Sequence, residues 1–471
     1  MIGETVVHPQ YGQGTITAQY RNGNEWMVRF ESGLRFRRPR VEFAGQENVD
    51  TSTNGHPLGH RSVQNEIPDF TPMTQSQFDA RQIIEALRVG VAPAKHVQEL
   101  TIGLENERTR LNIGLTQAHS DGGSAFAIIG DYGHGKSHIV ELTAQQALEQ
   151  NFLVSMVSLD LGELPPHRSF DIYAGLMRNL RYPDTDERGI GPLLEKSLGR
   201  ANLLDQFRNT TTVDADPLAF GLAAINNTSS IRQQKVWHQW FEGGRRVKTM
   251  NRSKPRGVKF PSIYRMGHNE RQMAYLLSGV SVMARLLGYS GLCVLIDEAE
   301  SYSLLMKYQQ PKASLFFSAV IYAAMQEQQS KLRSEDFPQH RYRDYPLSYD
   351  EKQSLFFLFT VTRSENQLPL TEWLAGDQIL ELEPHHSAQE LGQFLEKVML
   401  YHAQAYSYEI GERQRQIRRG AAEHLALGMK NFTLSIRGTV RLGVELFDLL
   451  YLYPDYEVTT LLDELRSTLR M

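Results

Sequence analysis

Two stretches, far apart in the chain, hold the side chains best suited to chemistry. The first is Gly130-Asp131-Tyr132-Gly133-His134-Gly135-Lys136-Ser137-His138, a glycine-rich turn that closes on Lys-Ser. Glycines let backbone N–H groups approach phosphate oxygens with no side chain in the way; Lys136 would then reach the β- and γ-phosphates of a nucleotide, and the Ser137 hydroxyl would ligate Mg²⁺. The second is Asp297-Glu298-Ala299-Glu300, which ends the apolar run 292–296. A carboxylate at the end of a buried strand can hold Mg²⁺, here Asp297, and its neighbour Glu298 can polarise an attacking water as general base. Each stretch alone has a plainer reading, as an ordinary glycine-rich turn or as a strand leading into a helix N-terminus that favours acidic residues. Together they point to binding and hydrolysis of a nucleoside triphosphate with Mg²⁺.

Such groups need a scaffold, and the hydrophobic pattern supplies one. The run 126–129 reads as a buried strand feeding the glycine turn, and Ile139, Leu142, Thr143 and Leu148 give a helix whose N-terminus would face the phosphates. A second apolar run, 153–159, ends at Asp160 and is expected beside the phosphate-loop strand in a parallel sheet. The run 355–362, Leu-Phe-Phe-Leu-Phe-Thr-Val-Thr, reads as a further central strand, 315–325 as an amphipathic helix and 331–351 as a charged loop. Beyond 370 the pattern is helical. Leu391, Phe394, Leu395 and Val398 make one apolar face, Ala422, Leu425 and Leu427 another, and Ser435 is a candidate cap for a helix that runs to Leu450.

The chain has 471 residues, 41% hydrophobic and 22% charged, which suits a soluble protein of two or three domains. A formal net charge of −4 gives no overall pull toward nucleic acid, so any such contact must come from local patches. One is the stretch 243–260, where Arg245, Arg246, Lys248, Arg252, Lys254, Arg256 and Lys259 occur with no carboxylate, flanked by Trp237, Trp240 and Phe241. Basic groups with aromatics nearby suit phosphate contact and base stacking, against the simpler reading of a solvated loop. A single cysteine, Cys293, excludes an intrachain disulfide and a Cys-based zinc site within the chain. With neither a signal-peptide pattern nor an apolar run long enough to span a bilayer, a cytoplasmic location without membrane contact is expected.

Residues 1–45 alternate as short strands do, with turn signals at Asn22-Gly23-Asn24 and Ser32-Gly33, which predicts a small all-β barrel. The stretch from Val7 to Ile16 resembles the opening of Tudor-like modules attached to bacterial helicases and transcription-coupling factors, in which the module contacts RNA polymerase or nucleic acid. Arg35 and Arg37 alternate with Leu34 and Phe36, putting basic groups on one strand face, where they could meet phosphates or simply protect an edge. Residues 46–76 are polar and without hydrophobic period, as a flexible linker is.

A family resemblance rests on the order of several motifs. Ala86-Leu87-Arg88-Val89-Gly90-Val91-Ala92-Pro93, Leu100-Thr101-Ile102-Gly103, Gly122-Gly123, the 130–138 loop and the later Val157-Ser158-Leu159-Asp160 and Tyr173-Ala174-Gly175-Leu176 are similar to the ATP-binding proteins of BREX phage-defence systems, the BrxD family. The resemblance spans about residues 78–450 and implies an α/β fold: an AAA+ P-loop core at 77–369 with a parallel sheet and an insertion at 183–262, and a helical lid at 370–471. With the N-terminal SH3/Tudor-like barrel, this completes the expected architecture. It further implies that Thr362, or failing that Thr360, serves as sensor 1, that Arg437, or Arg441 one turn on, serves as sensor 2 at the γ-phosphate, and that a homo-oligomer would draw an arginine finger from among Arg333, Arg341, Arg343 and Arg363. The function implied is an AAA+ ATPase of an anti-phage defence system that binds DNA and loads or regulates a partner helicase or nuclease. The alternative is an ATP-bound, weakly hydrolysing DNA scaffold that recruits transcription or repair machinery.

Overall fold

The computed structural model describes residues 2–8, 12–20, 25–30, 35–39, 73–198, 200, 202–210, 216–228, 230–243, 270–338, 346–363, 367–383, 386–431 and 434–470. The chain divides into two units, Met1–Pro72 and Met73–Met471, each described by itself. In the first, β1 (Thr5–His8), β2 (Gly12–Tyr20), β3 (Glu25–Phe30) and β4 (Arg35–Pro39) form an antiparallel sheet in chain order. Among its described residues Ile16, Trp26 and Val28 are buried, with Val6 packed against them. Arg35 and Arg37 are paired in register with Arg29 and Met27, and their side chains lie outside the described residues.

The second unit runs α1 (Gln75–Arg88), α2 (Glu105–Ser120), β5 (Ser124–Ile129), α3 (Lys136–Glu149), β6 (Leu153–Ser158), α4 (Ser169–Arg178) and β7 (Leu180–Arg181). There follow α5 (Gly191–Leu198), α6 (Leu203–Thr210), α7 (Pro217–Asn226), α8 (Ile231–Phe241), α9 (Glu270–Leu286), β8 (Leu292–Asp297), α10 (Gln310–Gln329) and β9 (Leu355–Val361). The remainder is α11 (Leu370–Trp373), β10 (Ile379–Glu381), α12 (Ala388–Tyr406), α13 (Glu412–Lys430), α14 (Ile436–Leu452) and α15 (Val458–Arg470). No helix among the described residues is long and apolar enough to cross a membrane.

The sheet order is β10-β5-β9-β8-β6-β7, parallel except for β7. This corrects the expected neighbourhood of β6: β9 and β8 stand between it and the phosphate-loop strand β5. Burial gives the reason. Every residue of β8 and β9 is buried, so these strands need cover on both faces and take the centre, whereas β6 ends in an exposed Ser158 and suits a place near the edge. Alternation along β9 divides the core. Phe357 and Phe359 join the cluster under α9 and α10, while Phe356 and Leu358 join the one under α2 and α3.

Three other expectations shift. The helix expected to be amphipathic is α10, and 316–321 and 323–325 are all buried because α10 packs against both the sheet and the neighbouring α9. Helices α5 to α8 lie within the expected insertion and feed the main core, where Trp240 is 4% exposed and Phe241 is fully buried; neither is available to stack on a base. The basic residues Arg245, Arg246, Lys248, Arg252, Lys254, Arg256 and Lys259 lie outside the described residues. Finally, α1, assigned from sequence to the ATPase core, buries Ala80, Ile83, Ile84 and Leu87 among the lid helices α12, α13 and α14. Its capping box, with Thr74 and Gln77 bonding reciprocally, fixes its start two residues before position 77.

Candidate nucleotide hydrolysis site

The glycine turn delivers what phosphate binding needs. Gly133 (φ +82°) and Gly135 (φ +88°) adopt left-handed backbone, and Gly135 is the N-cap of α3 with no side chain capping the helix. The first-turn N–H groups of α3 are therefore left for an anion, with the helix dipole behind them. Lys136 is buried and its ammonium is already ordered: Nζ donates to Gly130 O (2.9 Å), Asp131 O (3.3 Å) and Thr362 Oγ1 (2.7 Å). Thr362 in turn donates to Glu300 Oε1 at 2.8 Å, and Glu300 lies 3.9 Å from the ammonium. The expected sensor threonine thus touches the loop lysine directly.

The carboxylates at the end of β8 have separate supports. Asp297 Oδ1 accepts from the hydroxyl of Thr360, which is fully buried, and from the Glu298 N–H at 3.0 Å. The Glu298 N–H also reaches Thr360 Oγ1 at 3.1 Å. Thr360, the second choice for sensor 1, is therefore a prop for Asp297. Glu298 sits at φ +59°, ψ +34°, a left-handed conformation that costs a non-glycine residue roughly 1–3 kcal/mol and turns its side chain away from the strand line. Its Oε2 accepts a 2.9 Å hydrogen bond from the hydroxyl of Ser158 at the end of β6.

Lid residues close the other side. Ser435 caps α14 by accepting from the Gly438 N–H at 3.2 Å, and a Cβ at Gly133 would come within 3.2 Å of the Ser435 side chain. Arg437 Nη1 donates to the Tyr132 hydroxyl at 2.9 Å. Of the two sensor 2 candidates, Arg437 lines the cleft and Arg441 is exposed outside its lining. Gly133, Gly135, Lys136, Ser137, His138, Asp297, Glu298, Glu300 and Arg437 share one cleft of about 1100 Å³. The lining also includes the apolar residues Leu87, Val91, Ala92, Pro93, Val97, Phe394, Ile436 and Val440, a fit for a nucleobase.

The remaining loop residues divide. Ser137 is exposed at the cleft, whereas the His138 ring is turned to Thr101, with Nε2 2.9 Å from Oγ1. The Thr101 proton is used on Val97 O, so the histidine donates. Burial, with the Arg108 charge adding to it, pushes His138 down to about 4, so it is neutral at pH 7 and acts as a tie between α3 and the segment before α2. His134 Nδ1 accepts from the Asp131 N–H at 3.3 Å and shapes the turn. Of the arginine-finger candidates, Arg363 pairs with Glu381 (2.6 Å) and Arg333 with Glu335 (3.6 Å), while Arg341 and Arg343 lie outside the described residues. The Cys293 thiol is fully buried and pushed up by burial, a core residue and no nucleophile.

Sequence reasoning gave no role to Ser158 or Glu300. Each acts through a partner distant in the chain, and the only signal was position: Ser158 ends a strand with Asp160 close behind, and Glu300 shares the acidic run with Asp297.

Residues 76–216 match the family model described as BREX system ATP-binding protein BrxC/D. The BrxC/D match takes in the phosphate loop and Ser158 and stops short of Asp297, Glu298, Thr362 and Arg437. No curated protein matches the chain. Among solved structures, the Walker-type ATPase PABY2304 of Pyrococcus abyssi is similar at 12% identity with a TM-score of 0.32, over 77% of this chain and 72% of that chain. The BrxC/D match and the phosphate-loop geometry agree on an ATP-binding protein.

Proposed function

We propose that this protein is a Mg²⁺-dependent ATP hydrolase of the AAA+ type that serves anti-phage defence by acting on DNA with a partner helicase or nuclease. The observation that carries the hydrolase reading is the convergence of Lys136, Glu298 and Arg437, from three distant parts of the chain, on a single cleft. Ser137 and Asp297 both line the cleft and are the oxygen groups that would hold a Mg²⁺ ion arriving with phosphate oxygens and water. Held there, Mg²⁺ would neutralise charge on the β- and γ-phosphates.

The chain's own groups supply the rest. Lys136 exchanges its carbonyl partners for phosphate oxygens, and Thr362, already bonded to it, follows the γ-phosphate. Glu298 takes the proton from the attacking water, and Ser158 fixes which carboxylate oxygen faces outward. Arg437 approaches from the lid, so that the ATP state biases α14 against α3. The DNA reading is supported by the seven basic residues of 245–259, and the defence reading by the BrxC/D match. Phosphate release measured with Mg²⁺ and with EDTA, each with and without DNA, tests the hydrolase: turnover only with Mg²⁺ is expected, and none under any condition removes it.

A further inference from the structure

Arg437 is gripped at both ends. Its stem lies on Gly90, at φ +77°, where a Cβ would stand 2.3 Å from Arg437 Cγ and 3.1 Å from Arg437 O. Only a glycine permits that approach. At its other end the guanidinium meets Tyr132 of the phosphate loop, with Nη1 2.9 Å from the hydroxyl and Cζ 5.4 Å from the ring centroid. Tyr132 is 78% exposed, so core packing does not explain a large aromatic in the middle of a glycine-rich turn. What it touches is the lid arginine.

We propose that Tyr132 is a positioning residue that holds the Arg437 guanidinium over the phosphate loop, joining lid helix α14 to α3 before nucleotide binds. This rests on the ATP-hydrolase reading of the same cleft. A free arginine side chain must be ordered each time a phosphate is captured. One held by a hydroxyl and an aromatic face has already lost most of that freedom, and a short movement transfers it to phosphate. Tyrosine supplies both contacts; phenylalanine would keep the face and lose the hydroxyl.

The test uses the full chain and a double-mutant cycle. Binding of ATP with Mg²⁺ is titrated for wild type, Tyr132→Ala, Tyr132→Phe, Arg437→Ala and the Tyr132→Ala/Arg437→Ala pair, alongside kcat and KM. Amide exchange of 435–441 is followed without nucleotide. Tyr132→Ala should weaken ATP binding about tenfold and raise KM in proportion, Tyr132→Phe should fall between, and exchange at 435–441 should quicken in Tyr132→Ala. The pair should bind no worse than Arg437→Ala alone. Additive losses in the pair, unchanged or tighter ATP binding in Tyr132→Ala, or unchanged exchange would each overturn the proposal. Absence of turnover in wild type would sink the hydrolase reading, while the binding and exchange results would still decide the role of Tyr132.

Discussion

The Ser158 hydroxyl donates a 2.9 Å hydrogen bond to Glu298 Oε2, across the ends of two adjacent parallel strands, β6 and β8. Register brings them together: Ser158 is paired with Asp297, so the residue after Asp297 turns back over the end of β6 through its left-handed backbone. A general base must present one oxygen to water in a fixed direction, and this bond occupies the other. Ser158→Ala should lower kcat on the order of tenfold, with KM for ATP changed less than twofold. An unchanged kcat would make the contact incidental.

The two threonines at the end of β9 have opposite duties and should fail differently. Thr360 is buried and bonded to Asp297, so Thr360→Val removes a buried partner and should lower stability by about 1–3 kcal/mol in denaturant titration. Thr362 bonds Lys136 and Glu300, which line the cleft, so Thr362→Val should leave stability within about 1 kcal/mol and lower kcat roughly 10- to 100-fold. Equal effects of the two substitutions on both quantities would contradict the assignment.

The lid carries its own electrostatic joint. Arg88 of α1 makes paired bonds to Asp448 of α14 (Nε to Oδ2, 2.9 Å; Nη2 to Oδ1, 2.7 Å), and the buried His402 of α12 lies 3.0 Å from Asp448 Oδ1 with Tyr408 on its other nitrogen. Burial alone would raise the Asp448 carboxyl, but bonds from His402 and Arg88 and the Arg88 charge outweigh it and hold it below the usual range. A carboxyl depressed in the folded state stabilises above its unfolded value, about 3.9, and loses that contribution as pH falls, because the unfolded chain then takes up the proton first. Asp448→Asn should cost about 2 kcal/mol at pH 7, and its stability should fall less steeply below pH 4 than that of wild type. Parallel curves would show that the joint contributes nothing.

The residues that share the cleft were legible because their types are local: glycines beside Lys-Ser, and two carboxylates ending an apolar run. Arg437 was legible only through the resemblance, since an arginine one residue into a helix has no local mark. The order of the strands was not legible. The run 153–159 carries Ser155 and Ser158 but otherwise reads as a buried strand, and only the fully two-sided burial of β8 and β9 decides which takes the middle. Nor was the allegiance of α1, whose face of Ile83, Ile84 and Leu87 suits a sheet or a bundle equally. Trp240 and Phe241 misled for a related reason: adjacency to a basic run said nothing about which way their rings would pack.

The basic stretch gives a separate expectation. Reversing Arg245, Arg246, Lys248, Arg252, Lys254, Arg256 and Lys259 to glutamate should abolish salt-sensitive DNA binding in a fluorescence anisotropy titration, and Arg35→Glu with Arg37→Glu should weaken it less. Affinity and salt slope unchanged by the sevenfold reversal would remove DNA contact from this segment.

The central claim is that Lys136, Glu298 and Arg437 form one hydrolytic site, and Glu298→Gln probes it most directly. The substitution keeps the shape and removes the base. ATP binding should stay within about threefold of wild type while the steady-state rate of phosphate release falls at least about 100-fold. Turnover by Glu298→Gln at the wild-type rate would contradict the account.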